Sequence, residues 1–125
     1  MHDGKHVILY VDDDEDYRHA VRQMLEAEGF EMVEAPDGEE GLRALREHKP
    51  DLVLLDLMME EVDAGVNLLR QIRAAGDTTP VYLLSSVGDT LAMTTSAAEL
   101  GFNGVLQKPI EAGRLISVLR SKLQR

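Results

Sequence analysis

The chain has 125 residues, 44% hydrophobic and 29% charged, with a formal net charge of −10 and no cysteine, which suits one domain over residues 1–125 with a core of its own. Disulfides, thiol catalysis and cysteine-based metal sites are excluded. The acidic balance argues against direct nucleic-acid binding, which needs a basic footprint. No apolar run approaches the ~18 residues of a membrane span. The first residues, Met1-His2-Asp3-Gly4-Lys5, do not resemble a signal peptide, so no membrane association and a cytoplasmic location are expected.

Short β-rich runs alternate with longer amphipathic stretches. Residues 6–11 predict a buried strand, and 15–28 a helix with Ala20, Met24 and Leu25 on its inner side, stopped by Gly29. A second strand is expected over 32–35, then a Pro36-Asp37-Gly38 turn into a helix over 39–48, broken by Lys49-Pro50-Asp51. Leu52-Val53-Leu54-Leu55 is a continuous apolar strand of the kind buried on both faces. A loop over 57–65 leads to a helix over 66–75, carrying Leu68, Leu69 and Ile72, and Gly76 to Pro80 lead into a strand over 81–84. A helix over 90–100 closed by Gly101, a short strand over 104–106 and a helix over 110–123 complete the chain.

Five strands alternating with five helices predict an α/β fold with a parallel sheet covered on both faces. Right-handed crossovers leave few topologies, and a flavodoxin-like doubly wound (βα)5 order of 2-1-3-4-5 fits the length. Ligands bind such sheets at the carboxyl ends of the strands. Four polar features fall there: Asp12-Asp13-Asp14, Asp56, Ser85-Ser86 and Lys108-Pro109.

Three carboxylates at one sheet edge repel one another and raise their pKa values unless a cation is present. Oxygen ligands without His or Cys favour Mg2+ or a similar cation such as Mn2+. One carboxylate can then attack phosphorus to give an aspartyl phosphate. The Ser85 hydroxyl and the Lys108 ammonium would help position and neutralise the transferred group. Each feature alone also has a structural reading: Asp13 or Asp14 could cap the following helix, Asp56 could be a strand-end residue, and Ser85-Ser86 a strand exit. Together, in this order, they favour a site.

Charge is uneven. Residues 1–63 hold 19 of the 23 acids and 6 of the 13 bases, a balance of −13, against 4 acids and 7 bases, or +3, in residues 64–125. An acidic cation-binding edge and a basic final helix would explain this, as would a solvated surface with a helix end complementing its dipole.

The stretches Val7 to Asp14, Asp51 to Met59, Pro80 to Ser86 and Gln107-Lys108-Pro109 resemble the receiver domain of two-component response regulators over essentially the whole chain, in a chemotaxis-regulator-like single-domain form. The resemblance implies that Asp56 takes a phosphoryl group from a histidine kinase or a phosphotransfer protein. It implies Mg2+ held by Asp12, Asp13 and Asp56 with the backbone carbonyl of Met58. Ser85 stands for the family's switch hydroxyl and Lys108 for its invariant lysine, with a cis Lys108–Pro109 bond. The chain would catalyse its own phosphorylation without being a conventional enzyme. Output to a downstream protein is expected through the helix over 90–100, the fifth strand and the final helix, and a homodimer through the two helices is left open. The helix over 90–100 carries no charge between Asp89 and Glu99, which suits either a partner contact or small-residue packing.

Three departures from the family stand out. The loop Met59-Glu60-Glu61-Val62-Asp63-Ala64-Gly65 lacks the family's proline and is one residue longer. Val105 replaces the usual aromatic switch residue and has no ring to swing. Met58 and Val87 cannot orient a hydrolytic water, and Ser86 is bulkier than the usual residue, so self-dephosphorylation is expected to be slow. Two rivals remain: a receiver-like interaction module that ignores phosphate, and a receiver segment cut from a hybrid kinase or larger regulator. An EF-hand is excluded by Tyr17 and Gln23 in place of the needed Gly and Glu. His2, His6, His19 and His48 lack ligand spacing, and a haloacid-dehalogenase-like pair, Asp12 with Asp14, lacks the cap insertions.

Overall fold

A computed structural model describes residues 5–56, 64–85, 102–108 and 110–123, with the side chains of 64–66 left aside. The elements run β1 (Val7–Val11), α1 (Glu15–Ala27), β2 (Glu31–Ala35), α2 (Gly38–His48), β3 (Leu52–Asp56), α3 (Ala64–Ala74), β4 (Val81–Ser85), β5 (Gly104–Gln107) and a final helix, α4 (Ala112–Leu123). The strands form one parallel sheet in the order β2-β1-β3-β4-β5. This is the flavodoxin-like arrangement expected. The helix expected over 90–100, the 57–63 part of the loop after Asp56, and Pro109 lie outside the described residues.

Period-two alternation sorts the strand side chains between two cores. Leu9, Val11, Val53, Leu55, Val81 and Leu83 pack with Ala44 and Leu45 of α2 and Leu68, Leu69 and Ile72 of α3. Ile8, Tyr10, Leu52, Leu54, Leu84 and Leu106 pack on the other face with Val21 and Leu25 of α1 and Leu115, Ile116 and Leu119 of α4. Val21, with Leu25 one turn on, is the fully buried residue of α1, whereas Ala20 and Met24 are only half-buried.

Helix ends follow local chemistry. Asp14 caps α1, accepting the N–H groups of Asp16 and Tyr17, and Asp37 caps α2 through Glu40 N–H. Gly29, at φ +84°, turns the chain out of α1. Two helix starts differ from expectation by two residues, and that of α2, at Gly38 instead of 39, by one. α3 begins at Ala64 instead of 66, and α4 at Ala112 instead of 110. In α4 the first intrahelical bond runs from Leu115 N–H to the Glu111 carbonyl, and Ile110 N–H donates to the Tyr17 hydroxyl.

Candidate phosphoryl and metal site

Parallel register brings the strand ends together. Val11 pairs with Leu55, so Asp12 follows beside Asp56. Ser85 pairs with Gln107, so Lys108 lies one residue beyond. Lys108 N–H donates to the Ser85 carbonyl at 2.8 Å, pinning the lysine backbone to the end of β4.

Asp12, Asp56 and Ser85 are the buried polar residues of this edge. The Lys108 ammonium lies 3.1 Å from Asp12 Oδ2 and 3.0 Å from Asp56 Oδ1. Asp12 has further partners. The Tyr10 hydroxyl donates to its Oδ2, Asp14 N–H to its Oδ1 at 2.9 Å, and Arg18 Nη1 to its carbonyl at 2.6 Å. Arg18 is itself fixed by Glu34 at 2.8 Å.

These partners set the protonation states. Burial pushes the Asp12 carboxyl up, but the hydrogen bonds from Tyr10 and Asp14 and the charge of Lys108 outweigh it and hold the group below its ordinary range. Burial pushes Asp56 up, opposed by Lys108 and reinforced by the Asp12 charge, and the net direction is upward. Desolvation works against the Lys108 ammonium, yet Asp56 and Asp12 raise its pKa, so it stays charged. Tyr10, desolvated and facing Asp12, is raised and remains a donor.

One carboxylate oxygen each from Asp12, Asp13 and Asp56 lies within 4.8 Å of the others, with Asp13 exposed and the other two buried. Three acidic oxygens at this spacing fit a hard divalent cation that keeps some of its waters. The acidic run of the sequence thus divides its labour: Asp14 caps α1, while Asp12 and Asp13 face Asp56. Ser85 closes the same edge. Met58, Ser86 and Val87 lie outside the described residues, and Val105 is half-buried against the α2–α3 core. Tyr10, Tyr17 and Arg18 were not singled out from sequence as site residues. For Tyr10 a signal existed: a tyrosine inside a fully buried strand needs a hydroxyl partner, and alternation puts residue 12 on its face.

The family model for the response regulator receiver domain matches residues 8–120. The chain belongs to this family. Among curated relatives, the receiver domain is 38% identical over 125 residues to the transcriptional regulatory protein CseB of Streptomyces coelicolor, covering 100% of this chain and 52% of that protein. It is 34% identical over 118 residues to the response regulator MprA of a Mycobacterium species, covering 94% of this chain and 50% of that protein. The chain thus spans about half the length of these relatives. Solved structures with the same fold include the receiver domain of the Francisella response regulator 1452, with TM-score 0.84 and 26% identity over 94% of this chain and 95% of that one. The chemotaxis response regulator CheY4 of Vibrio cholerae gives TM-score 0.83 and 26% identity over 95% and 99% of the two chains. Receiver domains bind Mg2+ at an acidic pocket, and the aspartate cluster of this domain has the donor set for it. Among the described residues no helix is long and apolar enough to cross a membrane.

Proposed function

We propose that this receiver domain is a phosphoacceptor in which Asp56 carries the phosphoryl group and Lys108, Ser85, Asp12 and Asp13 serve the transfer. The observation that carries the reading is the Asp56 carboxylate, buried, 3.0 Å from an ammonium and within 4.8 Å of two further acidic oxygens. An Asp56 oxygen attacks the phosphorus of a phosphohistidine. The new O–P bond forms as the N–P bond breaks, and the imidazole leaves with the electron pair and takes up a proton. Lys108, charged and already at the Asp56 oxygen, neutralises charge on the transferred group. Ser85, buried at the end of the neighbouring strand, would supply its hydroxyl as a donor to the phosphoryl group. Asp12, Asp13 and Asp56, with the Met58 carbonyl, would hold Mg2+. When bound, that ion supplies charge neutralisation for the phosphoryl oxygens.

The donor is a histidine kinase or a phosphotransfer protein, the location cytoplasmic, and self-dephosphorylation slow because residues 58 and 87 bring no water-orienting group. Output passes to a downstream protein through β5, α4 and the segment 90–100, and a second copy would pair through the same segments. Intact-mass spectrometry after incubation with acetyl phosphate and Mg2+ tests the assignment. One Mg2+-dependent phosphoryl adduct is expected on the wild-type chain and none on Asp56→Asn. A folded wild-type chain that binds Mg2+ but takes no adduct would support a phosphate-independent interaction module instead.

A further inference from the structure

A lysine ammonium has three N–H bonds to place. In Lys108 they meet Asp12 Oδ2 at 3.1 Å and Asp56 Oδ1 at 3.0 Å. The same ammonium lies over the ring of Tyr17, 4.3 Å from its centroid, well inside the ~6 Å range over which a ring face attracts a cation. The Lys108 side chain is only 19% exposed, so the Tyr17 ring occupies ground that water would otherwise hold. The Tyr17 hydroxyl accepts the N–H of Ile110 at 3.3 Å. One side chain from the first turns of α1 therefore grips the tip of the lysine and the backbone two residues after it. That second contact lies just before the start of α4 at Ala112.

The sheet explains why α1 can do this. Ile8, Tyr10, Leu52, Leu54 and Leu106 face α1 and α4, and continuing that alternation carries Asp12, Asp56 and Lys108 to the same face. Val105, where an aromatic switch residue would stand, packs against the opposite core and has almost no rotamer freedom.

We propose that Tyr17 is the positioning residue of Lys108, and that through its bond to Ile110 it relays the state of Asp56 to the start of α4 in place of an aromatic at position 105. The relay rests on Asp56 being the phosphoacceptor. The ring keeps the ammonium turned inward, so that it meets the phosphoryl oxygens without first being ordered. When the ammonium shifts from carboxylate to phosphoryl oxygen, the ring follows, and the Ile110 amide with it.

Two variants separate ring from hydroxyl: Tyr17→Leu removes both, and Tyr17→Phe removes only the hydroxyl. In NMR spectra of the Mg2+-loaded chain, without phosphodonor, the Lys108 Hε protons should show an upfield ring-current displacement in wild type and Tyr17→Phe that disappears in Tyr17→Leu. With acetyl phosphate at saturating Mg2+, Tyr17→Leu should be phosphorylated about two- to fivefold more slowly, and Tyr17→Phe should recover most of the rate. The Ile110 amide should shift on phosphorylation in wild type and respond much less in Tyr17→Phe. A thermal melt confirms that each variant is folded. Unchanged Hε shifts in folded Tyr17→Leu, or a Tyr17→Phe rate as low as that of Tyr17→Leu, would overturn the positioning role. An Ile110 amide that responds equally in wild type and Tyr17→Phe would overturn the relay. A wild-type chain that takes no phosphoryl group would remove Asp56 as acceptor and the relay with it, whereas the ring-current comparison, made without phosphate, decides the lysine's positioning separately.

Discussion

Replacing Gly41 with alanine should destabilise the domain, although alanine is the better helix former. Gly41 lies inside α2, buried against β1 and α3. A Cβ built there would stand 2.9 Å from Val11 Cγ2, 3.3 Å from Leu68 Cδ2 and 3.4 Å from Val11 Cγ1. Carbon atoms pack best at about 3.5–4.0 Å, so α2 must retreat from the sheet by about half an ångström or Val11 must turn. Overpacking of this kind costs about 1–3 kcal/mol, against a helix-propensity gain of about 1 kcal/mol. The net expectation is a loss of up to about 2 kcal/mol, or a fall of up to about 8 °C in Tm for a chain of this size. Gly113 in α4 is the internal control. A Cβ there meets nothing closer than Glu111 Oε1 at 3.7 Å, so Gly113→Ala should stabilise by up to about 1 kcal/mol. Urea unfolding of the two variants gives the comparison. Gly41→Ala at or above wild-type stability would refute the packing argument, because the same chemical change would then have the same sign at a crowded and an open position. Val11 directly precedes Asp12, so Mg2+ affinity should also weaken in Gly41→Ala and not in Gly113→Ala.

Tyr10→Phe removes the hydroxyl that donates to buried Asp12. A hydrogen bond to a charged group contributes about 1.5–3 kcal/mol, so a clear loss in urea unfolding is expected, and an unchanged midpoint would deny that bond. Asp14→Ala deletes the α1 cap and should cost about 1 kcal/mol while leaving Mg2+ titrations unaltered; a large loss of Mg2+ binding would make Asp14 part of the cation site. Glu34 is held below its ordinary range by its hydrogen bonds to Arg22 and Arg18. A carboxyl depressed in the folded state contributes stability above its unfolded pKa, ordinarily 4.5 for a glutamate, and loses it as pH falls through the lower folded value. Glu34→Gln should therefore reduce stability at neutral pH and shrink its acid-induced loss below pH ~4.5. The effect is modest because the pair is partly solvated, and identical pH profiles for the two proteins would contradict it.

Much of this structure could be read from residue order. Leu52 to Leu55 had to be a strand buried on both faces, Gly29 and Pro50 had to end helices, and alternation left a parallel sheet as the solution. Asp12, Asp56, Ser85 and Lys108 stand at strand ends in the sequence as they do in space. What escaped was whatever depends on register between elements distant in the chain. Nothing local tells Val21 from Ala20 as the buried residue of α1, since both lie on its apolar side and the position of α4 decides. Tyr10 reads as one more apolar strand residue until β1 and Asp12 are seen to share a face. Tyr17 lies 91 positions before Lys108, and only the docking of α1 over the end of β5 brings ring and ammonium together. The three consecutive aspartates carry the same chemistry, and only the path of the chain into α1 assigns Asp14 to the cap.

On the proposed function, the charges at the sheet edge explain why a lysine and a cation would both be needed. Three carboxylates against one ammonium leave a formal deficit of two positive charges, matching one divalent ion. Without that ion, burial and the neighbouring Asp12 push the Asp56 carboxyl up, toward the protonated form that is no nucleophile. A bound divalent ion would reverse the direction, so that on the proposed function cation binding and readiness for attack would be one event. The two buried acids are fixed beforehand, Asp12 by Tyr10, Asp14 N–H, Arg18 and Lys108, and Asp56 by Lys108. Asp13 alone is exposed. The site thus keeps a buried inner wall and one solvated ligand on the side where, on the proposed function, a hydrated ion would enter and leave.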